Sequence, residues 1–340
     1  MYQNELLDHI IRGEDLSYDQ TIGVMTDIME GKLTNAQMSA ILVLLRTKGE
    51  TVEEISACAT VMREKSTKIP TQSQNLLDTC GTGGDGSGSF NISTTVGLLL
   101  ASGGYSIAKH GNRSMTSKSG SADLLEALGV NLELTPDQVA ECIEQTGIGF
   151  LFAPALHSAM KHVAPVRKEL GVRTVFNILG PLTNPAKANY QIMGVYSIQL
   201  VSKIIRVLKL LGIHSAYVFA GESGLDEVCI AGNSQIGHLT KEGNVEEFIF
   251  NPEDYGFKKA GLDEIKGGSP EENAEITKGI LSGQIRGPKR DIVIINAGFG
   301  ISVIENCSLA EAFEKATAIL DKKTGLELID KLATQSRSYQ

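Results

Sequence analysis

After residue 75, short apolar runs alternate with longer segments of helical periodicity, and this alternation limits the possible folds more than any other feature of the chain. The predicted strands are 76–80, 105–108, 150–153, 190–196, 216–220 and 292–296, and the segment from about 229 to 250 is typical of a hairpin. The predicted helices between them are 122–128, 136–145, 198–211, 271–281 and 309–321. Such alternation predicts an α/β domain with a mainly parallel central sheet.

The first 66 residues have the pattern of helices alone. Three helix starts carry a capping box, in which a hydroxyl caps the first turn and a Glu or Gln side chain reaches back to the cap. These boxes are Ser17 with Gln20, Thr34 with Gln37, and Thr51 with Glu54. Pro70 and the polar stretch 71–75 then form a linker. The chain is therefore predicted to have a small helical domain over 1–70, hinged to a larger α/β domain over 71–340.

Charge and cysteine content exclude several classes of protein. The 340 residues include 31 basic and 40 acidic side chains, and the formal net charge of −9 argues against a basic surface for nucleic acid or membranes. The five cysteines are odd in number and form no C-x-x-C motif, which favours scattered thiols in a reducing compartment. The N-terminus lacks the pattern of a signal peptide. We expect a cytoplasmic protein with no nucleic-acid and no membrane partner.

A glycine-rich loop follows the first predicted strand. Gly81, Gly83 and Gly86 formally satisfy the G-x-G-x-x-G pattern of a dinucleotide site. The acidic residue that should bind a ribose about 20 residues later is replaced by Lys109 and His110. We therefore reject a dinucleotide site.

The same loop nevertheless has the properties of an anion-binding site. Glycines let the backbone approach a ligand closely and turn its N–H groups toward it. The next helix begins with a polar run, Asn91, Ser93, Thr94 and Thr95, which adds donors at the positive end of the helix dipole. Asp85 would repel a bare pyrophosphate, but it suits the hydroxyls of a ribose or a metal-bound water.

The second predicted strand ends in a comparable cluster, KHGNRSMTSKSGSAD over residues 109–123. This cluster holds three permanent cations and five hydroxyls. Two successive strand–loop–helix turns share the carboxyl edge of a parallel sheet, where α/β proteins bind ligands. Together the two loops predict a ligand with two separated phosphate groups.

Two clusters further along the chain carry charge that suits a substrate and a metal. Arg167 and Arg173 are equal candidates for binding a carboxylate substrate, because a planar guanidinium matches a carboxylate. Asp226 and Glu227 follow a predicted strand, and Mg²⁺ bound together with phosphates typically takes one or two carboxylates. These residues predict a magnesium site.

Taken together, these segments resemble the anthranilate phosphoribosyltransferases, enzymes of tryptophan biosynthesis that are related to the class III nucleoside phosphorylases. The resemblance rests on GTGGDGSGSFNIST, KHGNRSMTSKSGSAD, AMKHVAPVRKELG followed by NILGPLTNP, and GLDE. It implies a glycosyltransferase that moves the phosphoribosyl group of 5-phosphoribosyl 1-diphosphate to the amine of anthranilate and releases pyrophosphate. It also implies Mg²⁺ as cofactor and a homodimer formed through the helical domain. A segment near 165–188 is expected to be part of that helical domain.

The resemblance also implies roles for individual residues. Gly81, Asn112 and Arg167 match positions that contact anthranilate, and His110 lies close by, where it could orient the amine. Ser93, Asp226 and Glu227 match the metal-binding positions. The positions matched to phosphoribosyl diphosphate are Gly81, Gly84, Asp85, Ser89, Asn91, Ile92, Ser93, Thr94, Lys109, His110, Gly111, Asn112, Arg113, Ser114, Met115, Thr116, Ser117 and Ser121. Two departures are Ser89, where threonine is common, and Ser114 to Thr116, where smaller apolar residues are more usual.

Two other functions stay open at this point. A pyrimidine nucleoside phosphorylase should be longer, and it has no use for the pair of Asn112 and Arg167. A non-catalytic relative that binds nucleic acid should have a basic face and lack the metal carboxylates. The net charge of −9 and the presence of Asp226 and Glu227 argue against that relative.

Overall fold

The structure is a computed structural model that describes residues 2–114 and 118–339. Within these residues it has fifteen α-helices and seven strands. The strands are β1 (Leu76–Gly81), β2 (Ser106–Gly111), β3 (Ile148–Phe152), β4 (Tyr190–Gly194), β5 (Ser215–Gly221), β6 (Ser234–Leu239) and β7 (Val245–Phe250). The helices are α1 (Tyr2–Ile11), α2 (Tyr18–Met29), α3 (Asn35–Lys48), α4 (Val52–Lys65), α5 (Ile92–Ser102), α6 (Ser121–Ala127), α7 (Pro136–Thr146), α8 (Ala153–Leu156), α9 (Ala164–Leu170), α10 (Phe176–Leu179), α11 (Ile198–Leu210), α12 (Pro270–Leu281), α13 (Pro288–Glu305), α14 (Leu309–Asp321) and α15 (Gly325–Arg337).

The seven strands form one sheet in the order β3-β2-β1-β4-β5-β6-β7. The first five strands in this order are parallel to one another. β6 pairs antiparallel to β5, and β7 pairs antiparallel to β6. The hairpin predicted over 229–250 is the pair of β6 and β7. A helical N-terminal part followed by a larger α/β part with a mainly parallel sheet confirms the predicted fold class.

One predicted strand is wrong. Residues 292–296 lie inside α13, in which every residue from 292 to 303 is buried. A helix that is covered on all sides has no apolar stripe, so its sequence cannot be told from a buried strand by periodicity. No single helix among the described residues is long and apolar enough to cross a membrane, and α13 and α14 meet that criterion only as a pair bent by 115°.

The N-terminal helices share a core with segments that come much later in the chain. The three predicted capping boxes are present at the starts of α2, α3 and α4. Apolar side chains of α1 to α4 pack in one cluster with those of α9, α10 and α11. In turn α11 covers β5 and β6, so this cluster joins the helices to one face of the sheet. The domain boundary at residue 70 stays a prediction.

Candidate active site

The candidate site lies at the carboxyl edge of the sheet, where β1 and β4 are neighbours. The strand that follows β1 in the chain lies on one side of this pair, and the strand that follows β4 lies on the other. Their connections diverge and open a crevice, which is where parallel α/β sheets bind ligands. Thr82 fixes the start of the glycine-rich loop to β4. Its N–H donates to the Gly194 carbonyl at 2.9 Å, and its Oγ1 accepts from the Tyr196 N–H at 3.1 Å.

Two glycines let an acidic loop approach this crevice. Gly81 and Gly194 are register partners at the ends of β1 and β4. A Cβ at position 81 would lie 2.5 Å from Asp226 Oδ2, and a Cβ at position 194 would lie 1.6 Å from the Asp226 carbonyl oxygen. A larger residue at either position would therefore displace Asp226. Gly194 could not be singled out from the sequence, because a lone glycine that ends a strand carries no signal of what approaches it.

Three acidic side chains converge beside the glycine-rich loop. The Gly83 N–H donates to Asp226 Oδ2 at 2.7 Å, and the Ser93 N–H donates to Glu227 Oε1 at 3.1 Å. Burial and then the charge of Asp85 raise the pKa of Asp226 to about 7, while burial and the charge of Asp226 raise the pKa of Glu227 well above its usual range. Asp85 Oδ2 is buried without a hydrogen-bond partner among the described residues. If all three carboxylates were ionised, none could donate to another and their charges would repel, and the raised pKa values of Asp226 and Glu227 reflect this uncompensated negative charge.

This excess of negative charge fits a divalent cation. Within residues 2–114 and 118–339, no three His, Cys, Asp or Glu side chains form a complete ligand set. Mg²⁺ bound with phosphates needs only one or two carboxylates, since phosphate and water oxygens complete its coordination. Asp226 and Glu227, with the orphaned oxygen of Asp85 beside them, are therefore suited to Mg²⁺ that arrives together with a diphosphate.

Lys109 lies beneath this cluster and is only 1% exposed. Its Nζ donates to the Thr79 carbonyl at 2.5 Å and to Ser93 Oγ at 3.3 Å. Burial lowers the pKa of Lys109, and the charges of Asp78 and Glu227 oppose that shift. Lys109 therefore holds the first turn of α5 in place and offsets part of the negative charge.

The two predicted anion-binding loops touch each other. Asn91 Nδ2 donates to the Ser119 carbonyl at 3.1 Å, and Asn91 Oδ1 accepts from Ser119 Oγ at 3.2 Å. The second loop is closed at the start of α6, where Ser121 Oγ accepts from the Asn112 N–H at 3.2 Å. A Cβ at Gly111 would lie 2.2 Å from that hydroxyl, so a glycine is needed there. The loops after β1 and β2 thus lie side by side at the sheet edge.

The remaining residues that the resemblance matches to phosphoribosyl diphosphate have varied surroundings. Arg113 is exposed and pairs with Asp123 at 3.2 Å and with Glu126, so a ligand would compete with these carboxylates for it. Ile92 belongs to the hydrophobic core, and its N–H donates to the Phe90 carbonyl. Thr94 is buried in the first turn of α5, Ser89 accepts from Ser87 Oγ at 3.2 Å, and the Ser114 N–H donates to Asp123 at 3.1 Å. Met115, Thr116 and Ser117 lie outside the described residues.

The structure distinguishes the two arginines that the residue pattern left equal. The Arg173 guanidinium stacks on the Tyr196 ring, 4.1 Å from its centroid, and donates to the Gly84 carbonyl. Arg167 on α9 is half-buried, 5.6 Å from the centroid of the Phe176 ring. Burial lowers the pKa of Arg167, and no carboxylate of the described residues opposes this shift. Arg167 is therefore a partly desolvated cation that is ready for an anionic ligand.

His110 forms a buried pair with a histidine that the sequence analysis did not single out. The Nε2 atoms of His110 and His157 lie 3.2 Å apart, and His110 Nδ1 lies 3.1 Å from the Gly180 carbonyl oxygen. A carbonyl can only accept, so His110 carries its proton on Nδ1 and its Nε2 accepts from His157. Burial lowers the pKa of His110 to about 3 and that of His157 to about 4, so both rings are neutral near pH 7.

A buried polar layer under the site also escaped the sequence analysis. Asp78 Oδ1 accepts from the His110 N–H at 3.2 Å, and Asp78 Oδ2 accepts from Asn184 Nδ2 at 2.8 Å. Burial raises the pKa of Asp78 to about 6, against the effect of these hydrogen bonds. Asp78 stands inside β1 and Asn184 more than 100 positions later, so no local motif connects them.

Comparison with known proteins identifies the family. A model described as the helical bundle domain of a glycosyl transferase family matches residues 4–66, and one described as the a/b domain of that family matches residues 73–325. Anthranilate phosphoribosyltransferase of Petrotoga mobilis is 48% identical to this chain, over 97% of this chain and 95% of its own length. The crystal structure of anthranilate phosphoribosyltransferase from Thermus thermophilus has a TM-score of 0.92 at 42% identity and covers 97% of this chain and 99% of its own. The enzyme of that name from Saccharomyces cerevisiae, in complex with PRPP and Mg, has a TM-score of 0.85 at 29% identity, over 94% and 92% of the two chains. This chain therefore belongs to that glycosyl transferase family and, within it, to the anthranilate phosphoribosyltransferases.

Proposed function

We propose that this protein transfers the phosphoribosyl group of 5-phosphoribosyl 1-diphosphate to the amine of anthranilate, giving N-(5-phosphoribosyl)anthranilate and pyrophosphate in tryptophan biosynthesis. The observation that carries this proposal is the meeting, at one sheet edge, of two anion-binding loops and a buried carboxylate cluster. The relatives that match along the whole chain bear the anthranilate phosphoribosyltransferase name, and they favour neither a pyrimidine nucleoside phosphorylase nor a nucleic-acid-binding protein.

The loop after β1 and the first turn of α5 would bind the diphosphate and ribose of the donor. Gly83 and Gly84 have φ values of 66° and 73°, a backbone geometry that gathers N–H groups into an anion-binding concavity. Ser93 and Thr94 stand at the positive end of the α5 dipole. As the bond to the diphosphate breaks, its growing negative charge would be stabilised by these fixed donors and by Lys109 beneath them.

Asp226 and Glu227 would hold Mg²⁺, with Ser93 beside them. Their raised pKa values, and the Asp85 oxygen that has no partner within residues 2–114 and 118–339, indicate a site with too much negative charge for the protein alone. When bound, Mg²⁺ would neutralise charge on the diphosphate oxygens. The yeast relative whose structure contains Mg supports this use of the cation.

Arg167 would bind the carboxylate of anthranilate through its fork of N–H donors, and Asn112 and Gly81 are the further proposed contacts of this substrate. His110 would not take the proton of the amine at Nε2, because that lone pair already accepts from His157. An aromatic amine is nucleophilic without a strong base, so holding it close to the cation-like ribose carbon is the main requirement. Because both histidines are neutral near pH 7, they would not protonate the amine, and its lone pair stays free for attack.

We also propose that the protein is a cytoplasmic homodimer that associates through the N-terminal helices. Ile11, Tyr18 and Val43 are 63%, 41% and 37% exposed on these helices, and such an association would cover them. All five cysteines are free, as expected for a reducing compartment. Light scattering should give the mass of a dimer for the wild type and of a monomer for Val43→Asp. A monomeric wild type would reject this association.

The fluorescence of anthranilate provides the decisive test of the transferase. Purified protein with phosphoribosyl diphosphate and Mg²⁺ should remove the blue emission of anthranilate over time, and omission of either component should abolish the change. The product should be confirmed as N-(5-phosphoribosyl)anthranilate by mass spectrometry. A constant emission at high protein concentration, with both components present, would reject the proposed function.

A further inference from the structure

The glycine-rich loop has few side chains of its own that could fix the direction of its peptide groups. Gly83, Gly84 and Gly86 all have φ between 66° and 73°, and a Cβ at Gly83 or Gly86 would meet no described atom within 4 Å. Peptide groups between glycines rotate at little steric cost. An anion site, in contrast, needs N–H groups that point in one fixed direction. A residue outside the loop must therefore hold it.

Arg173 contacts the loop in the way that this requirement demands. Its guanidinium lies on the Tyr196 ring, 4.1 Å from the centroid, and its Nη2 donates to the Gly84 carbonyl oxygen at 2.5 Å. Tyr196 lies two residues beyond the end of β4, and its N–H donates to Thr82 Oγ1 at 3.1 Å. The arginine thus lies between a ring that is anchored at the sheet edge and the glycine-rich part of the loop.

This contact determines where one N–H group points. The Gly84 carbonyl and the Asp85 N–H belong to one trans peptide, in which they point in opposite directions. A carbonyl that is fixed on Arg173 turns the Asp85 N–H away from Arg173. The preceding part of the loop is held separately, because the Gly83 N–H donates to Asp226 Oδ2 at 2.7 Å.

We propose that Arg173 is a positioning residue for the diphosphate donor, which acts by holding the Gly84–Asp85 peptide so that its N–H faces the diphosphate. The inference rests on the proposed function in one respect, namely that this loop binds the donor. It gives Arg173 a role different from that of Arg167, which is six residues earlier and is assigned to anthranilate. Val175, two residues after Arg173, packs in the core of the N-terminal helices, so the contact also ties the donor loop to the helical part.

A tryptophan at position 196 tests this proposal directly. The chain contains no tryptophan, so Tyr196→Trp introduces a single fluorophore that preserves the aromatic face under Arg173. In this background, Arg173→Met removes the cation and Arg173→Lys keeps the charge but not the planar fork. Arg206→Met is the matched control, since Arg206 is an exposed arginine on α11 that pairs with Glu247 on the surface. Each protein is titrated with phosphoribosyl diphosphate and Mg²⁺ without anthranilate, and its KM values for both substrates are measured.

We expect Arg173→Met to change the tryptophan emission of the free protein and Arg206→Met to leave it unchanged. Arg173→Met should raise the KM for the donor about tenfold, the loss expected for one charge-assisted hydrogen bond, and leave the KM for anthranilate within about twofold. Arg173→Lys should fall between wild type and Arg173→Met. An unchanged donor KM, or equal rises in both KM values, would overturn the proposal. If titration shows donor binding that Arg173→Met weakens, but no protein converts anthranilate, Arg173 keeps its role and the proposed function fails.

Discussion

Replacing Asp226 by asparagine should stabilise the metal-free protein and abolish transfer. The Asp226 carboxylate faces Asp85, whose Oδ2 has no hydrogen-bond partner among the described residues. Asparagine has the same shape, and its amide oxygen can still accept from the Gly83 N–H, as Asp226 does at 2.7 Å. Its NH₂ group can in addition donate to Asp85. The change thus removes a repulsion between carboxylates and supplies the missing donor, while it removes a charge that the proposed Mg²⁺ site needs.

The size of the effect follows from the pKa of Asp226, which rises from 3.8 to about 7 on folding. The folded protein binds this proton more tightly than the unfolded chain does, so the wild type loses stability as the pH rises toward 7 and loses little more above it. One pKa unit corresponds to about 1.4 kcal/mol, which gives at most about 3 kcal/mol between pH 5 and pH 7. Asp226 keeps part of its surface exposed, and solvent screening reduces the expected difference to about 2 kcal/mol.

Urea unfolding, followed by circular dichroism at pH 5 and pH 8 in the presence of a chelator, measures this difference. Asp226→Asn should unfold at higher urea than the wild type at pH 8, and the gap should shrink at pH 5. Asp330→Asn is the matched control, because Asp330 is exposed on α15 and should follow the wild type at both pH values. A gap that is equal at both pH values, or a variant less stable than the wild type at pH 8, would refute the reasoning.

Substitutions at three further positions test neighbouring contacts. Arg167→Ala should raise the KM for anthranilate about tenfold or more and leave the KM for the donor within about twofold in steady-state kinetics, since its guanidinium is assigned to the acceptor carboxylate, and equal damage to both would reject that role. His157→Gln should keep a donor for His110 Nε2 and most of the activity, whereas His157→Phe should lower kcat/KM for anthranilate. Nitrogen-15 NMR should find His110 protonated at Nδ1 alone, and a proton on Nε2 would contradict the arrangement. Gly194→Ala places a Cβ 1.6 Å from the Asp226 carbonyl oxygen and should lower the free energy of unfolding by about 1–3 kcal/mol or more in urea titrations, whereas a wild-type midpoint would disprove the crowding.

The elements that sequence predicts well are those whose signals are local. The capping boxes at the starts of α2, α3 and α4 occupy four consecutive residues each, and all three are present. The strands β1 to β5 were predicted because turns and helices separate their apolar runs. The strand predicted over 292–296 was wrong because α13 is covered on all sides. Its buried residues leave no polar face that would reveal the helical period.

The candidate site likewise has parts with local sequence signals and parts without them. The two predicted anion-binding loops and the acidic pair are runs of neighbouring residues, so a local pattern is enough to propose them, and their role in binding stays a prediction. The contacts that tune them join distant positions: His157 meets His110 across 47 positions, and Arg173 meets Gly84 across 89. A single histidine or arginine has no local pattern that names its partner, and only the packing of α9, α10 and the strands brings these pairs together.

The core that α1 to α4 share with α9 and α10 bears on how the protein is made. A ribosome releases the first four helices roughly a hundred residues before the helices that complete their core. During that interval the apolar side chains that α9 and α10 cover in the folded protein lack these partners, and they are open to chaperones and to aggregation. A substitution that weakens α9 would therefore lower the yield of the whole chain, by prolonging the exposure of segments that were synthesised much earlier.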